Sequence, residues 1–227
     1  MPYFKNNEFN ILFIHIPKTG GTSIECFFFQ KMNFTDYTKL PNLKILFEIF
    51  DNNIENYNDV ILFKKKHFIE SSLQHITYQQ IIHIKEELYI DFKNNLKIIT
   101  VVRNPYYKLI SDLFFFRLIE INSSKEIVFT IISNYLLEDK KIYDNHNLPQ
   151  YQFLIDENGN IPDEINIFKT ETLIHDLAKF GYDNFNIHLN CNEKKTIDYI
   201  EYLNQNSINL INEFYSKDFE LFNYQKL

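Results

Sequence analysis

Two short, unbroken apolar runs stand out along the chain, Asn10 to Ile16 (NILFIHI) and Leu96 to Val102 (LKIITVV). Both are rich in β-branched and aromatic residues and too short for a buried helix. Each is closed by a turn signal, Pro17 in one case and Arg103-Asn104-Pro105 in the other. They predict buried strands. After the first comes Pro17-Lys18-Thr19-Gly20-Gly21-Thr22-Ser23, then Ile24-Glu25-Cys26-Phe27-Phe28-Phe29, which reads as strand, glycine loop, helix. After the second, proline suits a first helical turn, so a helix is expected from about Pro105 to Ile121, with another over Ser124 to Leu137. Thr77-Tyr78-Gln79-Gln80 has capping-box spacing and predicts a helix to about Glu87, leaving His75 in the loop just before its N-terminus. Ile165 to Lys169 predicts a further strand. Thr170-Glu171-Thr172 then opens a helix that stops near Gly181, a suitable C′ residue. One or two C-terminal helices follow, the last near Asn206 to Tyr215. Residues 33 to 70 are less patterned: Val60 to Phe63 reads as a strand, and Leu43 to Phe50 as either helix or strand. Strands alternating with helices imply one α/β domain over residues 1–227 with a largely parallel sheet, whose strand ends are the usual ligand site.

Composition narrows the function classes. The 227 residues include 23 Phe and 15 Tyr but only 4 Gly, so aromatic stripes are read first as core packing. Two of those glycines sit together in the 17–23 loop, where the backbone must bend sharply or approach something closely. Lys plus Arg is 23 against 30 Asp plus Glu, a formal charge of −7, which argues against a nucleic-acid partner but leaves room for a local basic pocket. Two cysteines, Cys26 and Cys191, cannot build a disulfide framework or a four-cysteine zinc site, and a reducing compartment is expected. No apolar stretch approaches the ~18 residues of a membrane span, and the N-terminus has no signal-peptide pattern. A soluble, cytoplasmic protein is expected.

The 17–23 loop can gather backbone N–H groups, one lysine and the hydroxyls of Thr19, Thr22 and Ser23 around one point at a helix N-terminus. Such an arrangement favours an anion. It is not the nucleotide-triphosphatase pattern G-x-x-x-x-G-K-[ST], because Lys18 precedes both glycines. His15-Ile16-Pro17-Lys18-Thr19-Gly20-Gly21-Thr22-Ser23 after an apolar strand resembles instead the 5′-phosphosulfate loop of sulfotransferases that use 3′-phosphoadenosine 5′-phosphosulfate (PAPS). The likeness is to the carbohydrate sulfotransferase superfamily and its small bacterial and viral relatives. Val101-Val102-Arg103-Asn104-Pro105-Tyr106-Tyr107-Lys108-Leu109-Ile110-Ser111 is similar to that family's 3′-phosphate motif, R-N-P-Y-x-R-x-x-S, with Lys108 where the family usually has arginine. The segments Pro149 to Leu154, Ile167 to Leu173, Ile187 to Asn190 and Tyr215 to Tyr224 resemble its later motifs, P-Q-x-x-F-L, R-F-E-x-L, P-H-x-N and Y-x-x-D-F-x-x-F-x-Y. The second and third depart from the pattern: Lys169 and Thr170 stand near the acidic position, and His188 and Asn190 lack the leading proline.

The resemblance implies a P-loop-NTPase-like, three-layer α/β fold with a central, mostly parallel sheet flanked by helices. It implies PAPS as sulfuryl donor, no metal, and a hydroxyl acceptor, foremost a carbohydrate. Lys18, Thr19, Gly20, Gly21, Thr22 and Ser23 would hold the 5′-phosphosulfate, and Arg103 and Ser111 the 3′-phosphate. The physics agrees for Arg103, since a guanidinium makes forked bonds to phosphate. The acceptor hydroxyl must lose a proton, and His75 is preferred as base, with His67 as runner-up. Lys18 would neutralise charge on the leaving phosphate. His15, in the strand that feeds the loop, is expected to point inward as scaffold. Lys194 and Lys195 could reach an anion or remain a solvated pair. Two other readings stay open: a catalytically inactive nucleotide-binding module of the same fold, and a small-molecule kinase with a variant phosphate loop.

Overall fold

The computed structural model describes residues 2–32, 57–88, 90–186 and 198–227. Among these residues, a four-stranded sheet runs in the order β1 (Tyr3–Lys5), β2 (Asn10–Ile14), β3 (Lys97–Val102), β4 (Ile165–Lys169). The short edge strand β1 is antiparallel to β2, with Tyr3 opposite Leu12. The other two pairings are parallel, Ile14 facing Thr100 and Val102 facing Lys169. The expected α/β architecture with a mostly parallel sheet is therefore present, and three strands end side by side at one edge.

The unbroken apolar runs follow from cover on both faces of the sheet. Alternate residues of a strand point opposite ways. Leu12, Ile14, Ile98, Val102 and Ile165 pack on one face with Leu73, Ile76, Ile81, Phe153 and Leu154. Ile11, Phe13, Ile99, Val101 and Phe168 pack on the other with Ile24, Phe27, Phe28, Leu173 and Leu177. Each such side chain contributes roughly 1.5–3 kcal/mol when fully buried.

The helices are α1 (Gly21–Lys31), α2 (Tyr57–Lys66), α3 (Tyr78–His83), α4 (Pro105–Phe115), α5 (Lys125–Leu137), α6 (Leu173–Lys179), α7 (Gln205–Phe214) and α8 (Ser216–Leu221) among the described residues. A third apolar cluster joins α4, α5, α7 and α8 through Leu109, Leu113, Val128, Ile132, Ile211 and Phe219. No helix among the described residues is long and apolar enough to cross a membrane.

The cap signals hold. Thr77 and Gln80 form the reciprocal capping box, Pro105 opens α4, and Gly181, at φ 103°, follows α6; a cap not singled out in the sequence is Ser124, whose hydroxyl accepts from Ile127 N ahead of α5. Four expectations change. The helix expected last, near Asn206 to Tyr215, is α7, and α8 (Ser216–Leu221) follows it. Val60 to Phe63 lies inside helix α2 and is no strand, a length at which an apolar run alone cannot separate the two. Helix α4 ends at Phe115 and not near Ile121: Arg117 takes a left-handed conformation (φ 56°), and Leu118 N bonds back to Leu113 O at 2.9 Å, closing the helix without a glycine. Helix α3 stops at His83, and a separate 3₁₀ turn covers Lys85–Glu87. The readings placed on Leu43 to Phe50, Ile187 to Asn190, Cys191, Lys194 and Lys195 lie outside the described residues.

Candidate functional site

The loop after β2 is shaped from within. Thr19 is fully buried and its hydroxyl donates to Ile16 O at 2.8 Å, so its side chain braces the turn. Lys18 and Gly20 carry positive φ, 61° and 97°. Gly21 is required for space: a Cβ there would lie 2.1 Å from His15 Nε2. His15 is buried, as expected, with its ring stacked on Phe13 and seated against the first residue of α1. Its Nδ1 lies 2.6 Å from Glu25 Oε1, and Gln74 Nε2 donates to the same carboxylate oxygen at 3.1 Å. Burial would raise the Glu25 pKa, but the His15 contact and the Gln74 bond outweigh it and hold the carboxyl below its usual value. No side chain caps α1, and among the described residues nothing accepts from the N–H groups of Gly21 or Thr22. Thr22 is exposed and Ser23 is buried.

Lys18 reaches over this opening. Its ammonium sits 4.3 Å above the Phe115 ring and makes no hydrogen bond to a described residue. Burial lowers its pKa first; Asp112 opposes, and the nearby Arg103 and Lys108 charges lower it further. A desolvated cation without an acceptor, beside other cations and free N–H groups, is a place an anion stabilises.

Arg103 stands at the end of β3, and its peptide is fixed by Gln150, whose Oε1 accepts from Arg103 N and whose Nε2 donates to Arg103 O, both at 2.8 Å. Gln150 and Tyr151 in turn donate their backbone N–H groups to buried Asp218 at 2.8 and 2.9 Å. Burial pushes the Asp218 carboxyl up to about 6 despite those bonds. The Arg103 guanidinium donates to Lys18 O at 3.1 Å and lies over the Tyr199 ring. The two loops thus touch directly. The third strand-end loop joins them, since the Thr170 hydroxyl lies 2.6 Å from Thr19 O and 3.1 Å from Val102 O. Ser111 is half-buried on α4, and its hydroxyl bonds no described residue. Lys108 is fully buried: its ammonium donates to Asp112 Oδ2 at 2.8 Å and to His146 O at 2.6 Å.

His75 lies in a 3₁₀ turn, Leu73–His75, just before α3. Its Nδ1 is 2.8 Å from Asp144 Oδ2, while Asp144 Oδ1 accepts from Ser72 N at 2.5 Å. Burial lowers the His75 pKa to about 4; Asp144 opposes, and His15 and His146 add to the fall. Burial would raise Asp144, yet the His75 and Ser72 bonds bring it down to about 2. An ionised carboxylate only accepts, so the His75 proton sits on Nδ1 and Nε2 is a bare acceptor near neutral pH. No described residue bonds that Nε2. The ring meets His15 edge to face at 5.3 Å and His146 at 5.1 Å. His75 is thereby tied through His15 to Gly21 of the loop.

The structure therefore brings Lys18, the 19–23 loop, Arg103 and His75 into one neighbourhood. His67 is elsewhere among its described contacts: it packs on Phe63 and His83, with Nε2 3.1 Å from Glu87 Oε1. Sequence reasoning missed the carboxylate partners Asp144 and Glu25 and the second imidazole, His146; no local spacing announces them. Among the described residues, no group of His, Cys, Asp and Glu is arranged to hold a metal ion. Comparison with protein-family models, with curated proteins and with solved structures gave no match to the chain.

Proposed function

We propose that the protein is a PAPS-dependent sulfotransferase that moves a sulfuryl group to an acceptor hydroxyl, on a P-loop-like α/β scaffold. The observation that carries the reading is the bond from the Arg103 guanidinium to Lys18 O. It joins the two motif loops, so one ligand with phosphate at both ends can meet both. The residues present fit such a ligand: N–H groups at Gly21 and Thr22 and a desolvated Lys18 that bond no acceptor among the described residues, and an arginine whose peptide is already fixed. PAPS, when bound, supplies a sulfuryl group on a phosphate leaving group.

The chain's own residues have distinct tasks in this reading. Lys18 leaves the Phe115 face and neutralises phosphate charge. Arg103 and Ser111 bind the 3′-phosphate. His75 accepts the hydroxyl proton at Nε2, and Asp144 holds Nδ1–H and stabilises the imidazolium that forms. Positioning and charge stabilisation supply most of the rate, as in phosphoryl transfer.

The test is incubation with ³⁵S-labelled PAPS and a panel of sugars, phenols and alcohols. Label transfer by the wild type, lost in His75→Ala while binding of 3′-phosphoadenosine 5′-phosphate persists, supports the reading. Transfer that survives in His75→Ala removes His75 as base. Binding without any transfer favours the inactive module, and magnesium-dependent ATP binding favours the kinase.

A further inference from the structure

His146 and His15 both pack edge to face on the His75 ring, and the chemistry above uses neither; of the two, His146 is carried by the same turn as Asp144. Its Nδ1 faces Asp112 Oδ1 at 2.7 Å, and its own carbonyl accepts from Lys108. One face of its ring is stacked on Phe115, nearly parallel at 6° and 5.3 Å. Phe116 meets it edge to face at 4.9 Å. His146 and His75 are thus two buried imidazoles in edge-to-face contact, each anchored at Nδ1 by a carboxylate. Their anchors differ. Asp112 is shared with the Lys108 ammonium, whereas no lysine or arginine bonds Asp144 among the described residues.

The backbone between them is fixed as well. Asp144 and Asn145 both take left-handed conformations, φ 50° and 66°, uncommon for residues other than glycine. Asn145 Nδ2 donates to His75 O at 3.0 Å, and Ser71 Oγ lies 3.4 Å from the same oxygen. The turn that supplies Asp144 therefore also carries His146, and both of its ends grip the His75 residue.

We infer that His146 is a positioning residue for His75: its ring, locked by Asp112, Lys108 and Phe115, fixes the His75 imidazole with Nδ1–H toward Asp144 and shields it from water. The inference rests on His75 being the base. Asp144 and His146 from the turn and His15 from the end of β2 act on His75; Glu25 of α1 faces His15, and Lys108 and Asp112 of α4 hold His146. Lys18 meets the same Phe115 ring on which His146 is stacked. With Lys108 already compensating Asp112, the carboxylate free to stabilise a new imidazolium is Asp144.

The test is a pH titration of the intact protein by ¹H–¹⁵N long-range correlation, which reads each imidazole's tautomer and pKa. His146→Asn and His146→Gln are both made, since either amide can still donate to Asp112 and only one need fold. Removing the ring admits water beside His75, so its pKa rises by about one unit from its low value and the Nε2–H tautomer becomes visible. An unchanged His75 titration and tautomer in a folded variant overturns the inference, because a residue that merely holds Asp112 would leave both alone. Calorimetric titration with 3′-phosphoadenosine 5′-phosphate runs alongside. Loss of that binding in the wild type counts against the sulfotransferase reading, whereas the imidazole spectra decide the role of His146 independently.

Discussion

The loop after β2 and the buried side of α4 are each built around a lysine, and the two are treated in opposite ways. Lys108 is fully enclosed and its ammonium is bonded to a carboxylate and a carbonyl. Lys18 is half-enclosed, and among the described residues its ammonium meets the face of Phe115 and no hydrogen-bond acceptor. A buried charge with its partners is part of the architecture. A desolvated charge without them is stabilised by something that arrives. Of the two, only Lys18 is left available to an anion by its surroundings. An arginine at this position would carry a fork and five donors; the lysine turns inward and ties α4 to the His146 turn.

The comparison breaks most visibly at Lys108. Lys108→Met should destabilise the fold by about 3–5 kcal/mol, because it strands a buried carboxylate, as read by urea denaturation. Lys18→Met should leave stability unchanged or raise it. Similar losses at the two positions would mean that Lys18 has a structural partner after all.

Acid should act on the same neighbourhood. The His75 pKa is about 4 in the folded chain against an ordinary 6.5, so between these values the unfolded state binds the proton that the folded state refuses. Stability therefore falls as pH drops from 6.5 to 4, by on the order of 3 kcal/mol. Asp144, held down to about 2, adds a further loss as pH falls through its folded value. Urea midpoints at pH 7, 5 and 4 check the direction, and His75→Asn should flatten the first part of the slope.

Gly21→Ala comes next. Its Cβ would meet the His15 ring at 2.1 Å, and forcing that ring aside should cost about 1–3 kcal/mol. The smallest effect is expected at Phe115. Phe115→Ala removes the cation–π support of Lys18, about 0.5–1 kcal/mol at a partly exposed ring, measured as a small change in anion affinity.

These residues also mark what could be read along the chain. The strands Asn10–Ile14, Lys97–Val102 and Ile165–Lys169 were legible because runs covered on both faces show continuous apolarity. Caps at Thr77, Pro105 and Gly181 were legible because capping is local chemistry. The pairing of Gly20 and Gly21 pointed to a sharp bend or a close approach; Gly20 supplies the first and Gly21 the second. Contacts between distant residues were not legible. His75 meets Asp144 across 69 positions and Arg103 meets Gln150 across 47, and no local period encodes such a partner. The edge strand Tyr3–Lys5 is three residues long, too short to leave a pattern. The inward turn of Thr19 depends on a carbonyl three residues back, which a motif of residue types does not specify.

The central claim is that the β2 and β3 loops act on one ligand carrying phosphate at both ends. Calorimetric titration of the wild type and Arg103→Ala with 3′-phosphoadenosine 5′-phosphate and with AMP tests it most directly. The bisphosphate should bind the wild type roughly 100-fold more tightly than AMP, from two charge-assisted bonds, and Arg103→Ala should erase that preference. Equal affinity of the wild type for the two nucleotides, or no binding of either, would contradict the account.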